Sequence, residues 1–401
     1  MYKSDHIMEL LHSYNKKVIF NYIRVNELIS RSELSQRIGV SATAITRLVN
    51  SMIETGMVEE VGVCDVDSVG RRPIMLSVCK DCMYALGVNI DIDEVVIGCI
   101  NVQGEVIRTL RTSDFDGTDP ENVVQTVLKL YRRLLDELDA SVREKIIGMG
   151  VVVPGIIDWP EGHTRVTPQL HWHPFPLRER LRSLLDIEVL VDNNVKAIAT
   201  AESMFGGRKD NDSFFVLEIG SGLGAAYVLD GRVLRGSNGV MGEIGHTLAV
   251  ENGVRCDCGR NGCLQAYTCI SGLETRLGMP IEQIMRLRRS DEGVQAILDE
   301  AVRYLSKAVA NIINYYNPGA IIAYGRLFDL WPELFDLLRI RSREMLWLPK
   351  DVDFHFYRSA LDNESSRVLA AASIFFSDIL LPEVMICKSA LKSEKQTKVY
   401  P

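Results

Sequence analysis

Two separated stretches of this chain follow one scheme, and that duplication limits the possible folds more than any other feature. Residues 84–90, 95–102 and 105–107 are apolar runs joined by turns, the last turn being Gln103-Gly104. Residues 214–219, 223–229 and 232–234 repeat the scheme, with Asp230-Gly231 at the same place. Glycine in the second turn position suits a twisted two-residue hairpin loop. Helical segments are expected at about 120–139 and 192–205. The pattern implies two duplicated α/β lobes with a cleft between them. A length of 401 residues, 47% of them hydrophobic, supplies two or three separate cores.

The second copy contains Gly220-Ser221-Gly222-Leu223-Gly224-Ala225, whose glycines let backbone approach a phosphate or another ligand closely. Tight strand packing requires the same glycines, so this turn has two readings. His246 followed by Cys256, Cys258 and Cys263 is more specific. One imidazole and three thiolates, with glycines bending the chain between them, fill a zinc tetrahedron. Four protein ligands leave no open coordination position, which makes the expected ion structural, one Zn2+ per chain. Nine cysteines, an odd number with three packed into residues 256–263, fit thiols and a metal better than a disulfide framework. Cys79-Lys80-Asp81-Cys82 has no second pair and reads as ordinary thiols.

The first eighty residues have a different character. Apolar spacing over 6–28 predicts one or two helices, with a break near Ser13-Tyr14-Asn15. Ser30-Arg31-Ser32-Glu33 is a capping box that opens a short helix over 31–38. Gly39-Val40-Ser41 turns the chain, and Ser41 caps a second helix to about Glu54 with Ile45, Leu48, Val49 and Met52 inward. Its outer face offers Ala42, Thr43, Thr46, Arg47 and Asn50, small or hydrogen-bonding residues suited to a major groove. Two strands follow, with Gly70-Arg71-Arg72-Pro73 at the returning edge of a wing. Arg71 and Arg72 on a Pro-stiffened backbone suit a narrow minor groove, and a solvated turn is the other reading. A helical protein-interaction module is the alternative for the whole segment.

Charge agrees with that division. The net charge is −8, yet residues 1–80 hold 10 Lys and Arg against 9 Asp and Glu, leaving 35 against 44 beyond. DNA contact would therefore depend on locally placed arginines. No window approaches a membrane span and the first residues lack a secretion signal's apolar core, so a cytoplasmic protein is expected.

The chain resembles the ROK family of bacterial repressors and sugar kinases. The matching elements are Val153-Pro154-Gly155-Ile156-Ile157-Asp158, Asp192-Asn193-Asn194, Gly220-Ser221-Gly222-Leu223-Gly224, Gly242-Glu243-Ile244-Gly245-His246 and the Cys256-to-Cys263 loop. The resemblance implies an α/β two-lobed, sugar-kinase-like body of the actin, hexokinase and heat-shock ATPase type, ribonuclease H-like, behind an N-terminal winged helix-turn-helix. It divides the chain into a DNA-binding domain over 1–80, a first lobe over 81–191 completed by a C-terminal helix over 379–401, and a second lobe over 192–378. Asn193, Asn194, Glu243, His246, Gln265 and Gly155 fall at its sugar-binding positions. His246 would bind metal through one nitrogen and offer the other to a sugar.

Departures from the kinase pattern are equally informative. Where family kinases carry Asp-x-Gly-Gly-Thr, this chain has Asn89-Ile90-Asp91-Ile92-Asp93, whose carboxylates repel ATP phosphates. The family's general base falls on Asn194, an amide that takes no proton at neutral pH. Tyr324-Gly325-Arg326 replaces an adenosine-side Gly-Gly. The expectation is a non-enzymatic repressor of carbohydrate genes. It would bind a palindromic operator with A·T-rich segments as a homodimer or tetramer and respond to a sugar by a shift between its lobes. An active sugar kinase with a DNA-binding appendage, a zinc-responsive regulator and a repressor controlled by a phosphotransferase-system protein are the alternatives.

Overall fold

The structure, a computed structural model, describes residues 11, 13–63, 73–207, 213–347, 354–361 and 365–381. It divides into two compact units: Met1–Val152 with Pro176–Val191 and Arg367–Pro401, and Val153–Phe175 with Asp192–Ser366.

In the first unit the helix Tyr14–Asn26 buries Ile19, Phe20 and Ile23. The capping box at Ser30 forms: its hydroxyl accepts from the Glu33 amide at 3.2 Å while a Glu33 carboxylate oxygen accepts from the Ser30 amide at 3.0 Å. The helix Arg31–Ile38 ends at Gly39, where φ of 75° favours a residue without a Cβ. Ser41 caps the helix Ala42–Glu54, which buries Ile45, Val49 and Met52. A three-stranded sheet closes the module: β1 (Ile29–Ser30), β2 (Val58–Val63) and β3 (Ile74–Val78), in the order β1-β3-β2. The connection between β2 and β3, including Arg71 and Arg72, lies outside the described residues.

A five-stranded sheet follows in the same unit. It is built from β4 (Tyr84–Ile90), β5 (Val95–Asn101), β6 (Val106–Thr112), β7 (Ile146–Val153) and, after the short ribbon β8 (Ile156–Asp158) and β9 (His163–Val166), β10 (Val189–Asn193). The order is β10-β7-β4-β5-β6, with antiparallel β4–β5–β6 and parallel β4–β7. The helix Pro120–Glu137 bridges β6 to β7. On this sheet lies the helix Ser366–Leu380. Its approach is so close that a Cβ on Gly87 would sit 1.9 Å from the Val368 carbonyl oxygen and one on Gly150 1.8 Å from that of Ala371.

The second unit repeats this order with β11 (Ser213–Ile219), β12 (Leu223–Leu229), β13 (Arg232–Leu234), β14 (Ala320–Tyr324) and β15 (His355–Arg358), arranged β13-β12-β11-β14-β15. Again three antiparallel strands continue into parallel ones. The helix Glu292–Tyr316 occupies the connection that Pro120–Glu137 fills in the first unit. Its apolar face joins Phe215, Leu217, Leu305 and Val309 in one core.

The divisions differ from the sequence reading in two respects. Residues 153–175 pack with the second unit, and the helix that completes the first begins at Ser366 rather than 379. The apolar run Val-Leu-Ala-Ala-Ala-Ser-Ile-Phe-Phe over 368–376 provides its buried face, whereas residues from 382 onward lie outside the described set. Among the described residues no helix is long and apolar enough to cross a membrane.

Candidate functional site

The helix Ala42–Glu54 presents one polar face. Ala42, Thr43, Thr46, Arg47 and Asn50 are all exposed, because the 3.6-residue repeat turns Ile45, Val49 and Met52 to the interior. The Thr46 hydroxyl donates to the Ala42 carbonyl at 2.8 Å, and Asn50 Oδ1 accepts from Arg31 Nη2 at 3.2 Å. Arg31 also pairs with Glu60 at 2.8 Å, tying the two helices to β2. No acidic side chain lies on the face between Ala42 and Ile53.

In the second unit, a short hydrogen-bonded loop assembles four soft ligands. The Cys256 amide donates to the Arg260 carbonyl at 2.8 Å and Gly259 returns to Cys256 at 2.9 Å. Gly262, at φ of 80°, passes so close to the Val250 carbonyl that a Cβ would be 1.8 Å from it. This folding brings one atom each of His246, Cys256, Cys258 and Cys263 within 4.8 Å of one another. Cys256 Sγ lies 3.9 Å from His246 Nδ1, and Cys258 Sγ 3.6 Å from Cys263 Sγ. A tetrahedral zinc with sulfur at ~2.3 Å requires ligand separations of about 3.8 Å, so the donor set and spacing fit that ion. Burial pushes the Cys256 thiol up and that of Cys263 up to about 12. Burial also raises Cys258, but hydrogen bonds from the Arg260 amide and from Cys263 and Cys256 outweigh it and hold that thiol below the ordinary value. A divalent cation at the centre would turn all three into thiolates.

In the same unit, the start of the helix Asn194–Phe205 gathers the other polar candidates. Asn193 is its N-cap: Oδ1 accepts from the amides of Val195 at 2.9 Å and Lys196 at 3.4 Å, while Nδ2 donates to the Gly155 carbonyl at 2.7 Å. Gly155, at φ of 112°, has no room for a Cβ, which would fall 2.1 Å from the Val166 carbonyl. The sequence assigned both to a sugar, but most of their hydrogen-bonding capacity is committed to the fold. Asn194 Nδ2 donates to Glu218 Oε2 at 2.9 Å. Gln265 Oε1 accepts from the Leu223 amide at 3.1 Å and so braces the Gly220-Ser221-Gly222 hairpin. Glu243 is half-buried at the start of the 3-10 turn Ile244–His246.

Three members of this neighbourhood were not singled out from the sequence, Lys196, Glu218 and Arg235, and Asp192 was noted there only as part of the Asp192-Asn193-Asn194 match. Asp192, 1% exposed, accepts from the Asn193 amide at 2.8 Å and pairs with Arg235, whose guanidinium lies 4.2 Å over the Trp159 ring. Lys196 is 3% exposed, and burial pulls its ammonium below the usual lysine range against the opposing pull of Asp192 and Glu243. A lone cation in Val195-Lys196-Ala197-Ile198-Ala199 was the available signal, since a helix apolar on all sides has no solvated face for it.

The residues at the three kinase positions have other engagements. In the first unit, β4 turns into β5 at Asp91, whose amide donates to the Glu94 carbonyl at 2.9 Å, and Glu94 faces Arg111 at 3.6 Å and Arg367 at 3.5 Å. In the second unit, Gly325 passes the Ile219 carbonyl closely and Arg326 pairs with Glu282 at 2.5 Å.

Comparison with known proteins places this geometry. The ROK family matches residues 85–366, and a winged helix-turn-helix DNA-binding domain matches residues 13–59. The chain belongs to the ROK family. The xylose repressor of Caldicellulosiruptor bescii is 30% identical over 399 residues, covering 92% of this chain and 97% of that protein. A ROK family transcriptional regulator, a homologue of the Escherichia coli MLC protein, has a TM-score of 0.75 at 22% identity, over 92% of this chain and 97% of its own. The ROK hexokinase of Thermus thermophilus has a TM-score of 0.63 at 24% identity, over 74% of this chain and 100% of its own. At those identities the two structures speak to fold alone.

Proposed function

We propose that this chain is a cytoplasmic transcriptional repressor of carbohydrate genes whose affinity for its operator is set by a sugar bound in the second unit and not phosphorylated there. The observation that carries the reading is at position 194. A family kinase needs a carboxylate there to take a hydroxyl proton, and this chain has an amide that donates to Glu218. Binding groups persist while proton transfer has no acceptor at that position. The exposed face of Ala42, Thr43, Thr46, Arg47 and Asn50 supplies major-groove contacts, and Arg71 and Arg72, which lie outside the described residues, would supply minor-groove contacts. Two-fold operators require two such modules, so the active form is a homodimer.

His246, Cys256, Cys258 and Cys263 would hold one zinc ion, which supplies structural closure of the loop. His246 turns Nδ1 toward Cys256, leaving Nε2 for a sugar hydroxyl. Glu243 and Gln265 are further sugar contacts, with Asn193 holding the helix start in place. The reading is tested by incubating the protein with MgATP and sugars and following ADP formation alongside operator binding. Sugar-dependent weakening of the complex by about 5- to 150-fold, with no ATP turnover, is expected. Turnover at ordinary kinase rates would refute it.

A further inference from the structure

A buried ammonium normally has a partner, because an isolated charge in a dry interior is too costly to keep. Lys196 departs from that rule. Its side chain is 3% exposed, but its bonds are those of its backbone: the amide to Asn193 Oδ1 and the carbonyl from the Thr200 hydroxyl at 2.9 Å. Among the described residues Nζ has neither a hydrogen bond nor an ion pair within 4.0 Å. The charges that reach it are Asp192, Glu243 and Arg235.

Two of those three cancel. Asp192 has one oxygen on the Asn193 amide and the other on Arg235. What remains is one open ammonium, Lys196, and one half-buried carboxylate whose charge reaches it, Glu243, and the Glu243 side chain also makes no hydrogen bond among the described residues. A donor and an acceptor held apart in this way are bridged by a molecule offering both an oxygen and an O–H, such as a pair of sugar hydroxyls. The four charges sum to zero, so a neutral ligand leaves the site balanced. A carboxylate or phosphate would add a negative charge near Glu243 and Asp192. Asn193, whose Oδ1 and one N–H are committed to the helix cap and Gly155, leaves the donor's role open.

We propose that Lys196 is the specificity-determining donor of this site, its ammonium hydrogen-bonding one hydroxyl of a neutral sugar while a neighbouring hydroxyl donates to Glu243. The proposal rests on the sugar-responsive reading above and narrows it to neutral polyhydroxylated ligands.

The test uses the full-length, zinc-loaded protein and calorimetric titration with neutral aldopentoses, aldohexoses and N-acetylhexosamines, beside uronates and sugar 6-phosphates. The wild type is expected to bind a neutral member. Lys196→Met, which keeps the apolar stem, should bind it about 10- to 100-fold more weakly, with unchanged operator affinity in the absence of sugar. Glu243→Gln provides a second variant should Lys196→Met fail to fold, and should weaken the same sugar. Equal binding by wild type and folded Lys196→Met, or by wild type and Glu243→Gln, would overturn the role of the pair. Preference of the wild type for an anionic member would overturn the neutral class while leaving a sugar-responsive repressor standing. No binding of any member, with intact operator binding, would remove the sugar reading itself.

Discussion

The two five-stranded sheets share a strand order and differ at the turn that leads their first strand into their second. In the first unit that turn is Asp91-Ile92-Asp93-Glu94, a short acidic loop whose Glu94 is held by Arg111 and Arg367. In the second it is Gly220-Ser221-Gly222, drawn against the helix Ile270–Leu277 by the Ile270 amide on the Gly220 carbonyl at 2.9 Å and the Ser271 hydroxyl on the Ser221 carbonyl at 2.8 Å. The same topology thus tolerates opposite turn chemistry. Among the described residues, the second unit adds a soft-ligand loop and a cluster of buried charges, whereas the first carries the DNA-binding module. Duplication supplied a scaffold twice, and the side chains at its turns and helix starts separated the roles.

Metal removal is the strongest way to break the comparison, because structural zinc sites in small loops contribute on the order of 10 kcal/mol of binding free energy. A strong chelator, or Cys258→Ser, should lower the unfolding transition of the second unit while the first keeps its own. Two-probe thermal melts with elemental analysis would show it. A zinc-free protein melting as the wild type does would remove the structural role of the ion.

Helix-on-sheet packing gives the next largest effect. Gly150→Val places side-chain atoms against the Ala371 backbone, 1.8 Å from where a Cβ would stand, and should cost about 3 kcal/mol or more. Gly224→Ala in the second unit meets the Val195 side chain at 2.7 Å, which can adjust, and should cost about 1–2 kcal/mol. Denaturant titration of both variants measures the asymmetry. Equal costs would mean that the two helices are packed alike.

At the DNA end, Arg47→Ala and the double replacement of Arg71 and Arg72 by alanine should each weaken operator binding, by about 1–3 kcal/mol per well-placed contact. Gel-shift titration at fixed salt reads the loss, and full affinity in either variant would move the interface elsewhere. The smallest expected effect is at Glu33, whose carboxyl the Ser30 amide and hydroxyl hold below the usual carboxylate range. Because the folded pKa is depressed, its contribution is present above the ordinary glutamate pKa and is lost as pH falls through the folded value. Glu33→Gln should therefore be less stable at neutral pH by only about a few tenths of a kcal/mol, since the site is solvent-screened and Gln can keep the box, with the gap closing in acid. A constant gap between pH 7 and pH 3 would contradict the assignment.

Features encoded locally were legible in the sequence. The Ser30 box, the hairpin glycines and the spacing of His246, Cys256, Cys258 and Cys263 depend on neighbours a few residues away, and each forms a local structure of the kind its spacing implies. The helix Ser366–Leu380 was placed too late because its role is fixed by Gly87 and Gly150, far away in the chain. Asn193 is a helix cap, the role that an Asn before a helical run takes by a purely local rule. Lys196 is marked in the sequence only as a lone cation in an apolar run, and its burial follows from the packing of the whole helix.

In the proposed function a sugar bound in the second unit changes affinity for DNA held by the first, with no phosphoryl transfer. The most direct test of this is operator affinity measured by fluorescence anisotropy on the zinc-loaded protein, with and without a bound neutral sugar, in the presence of MgATP and an ADP readout. A sugar-dependent change of about 5- to 150-fold and no ADP are expected. Tight sugar binding with unchanged operator affinity, or steady ADP production, would contradict it.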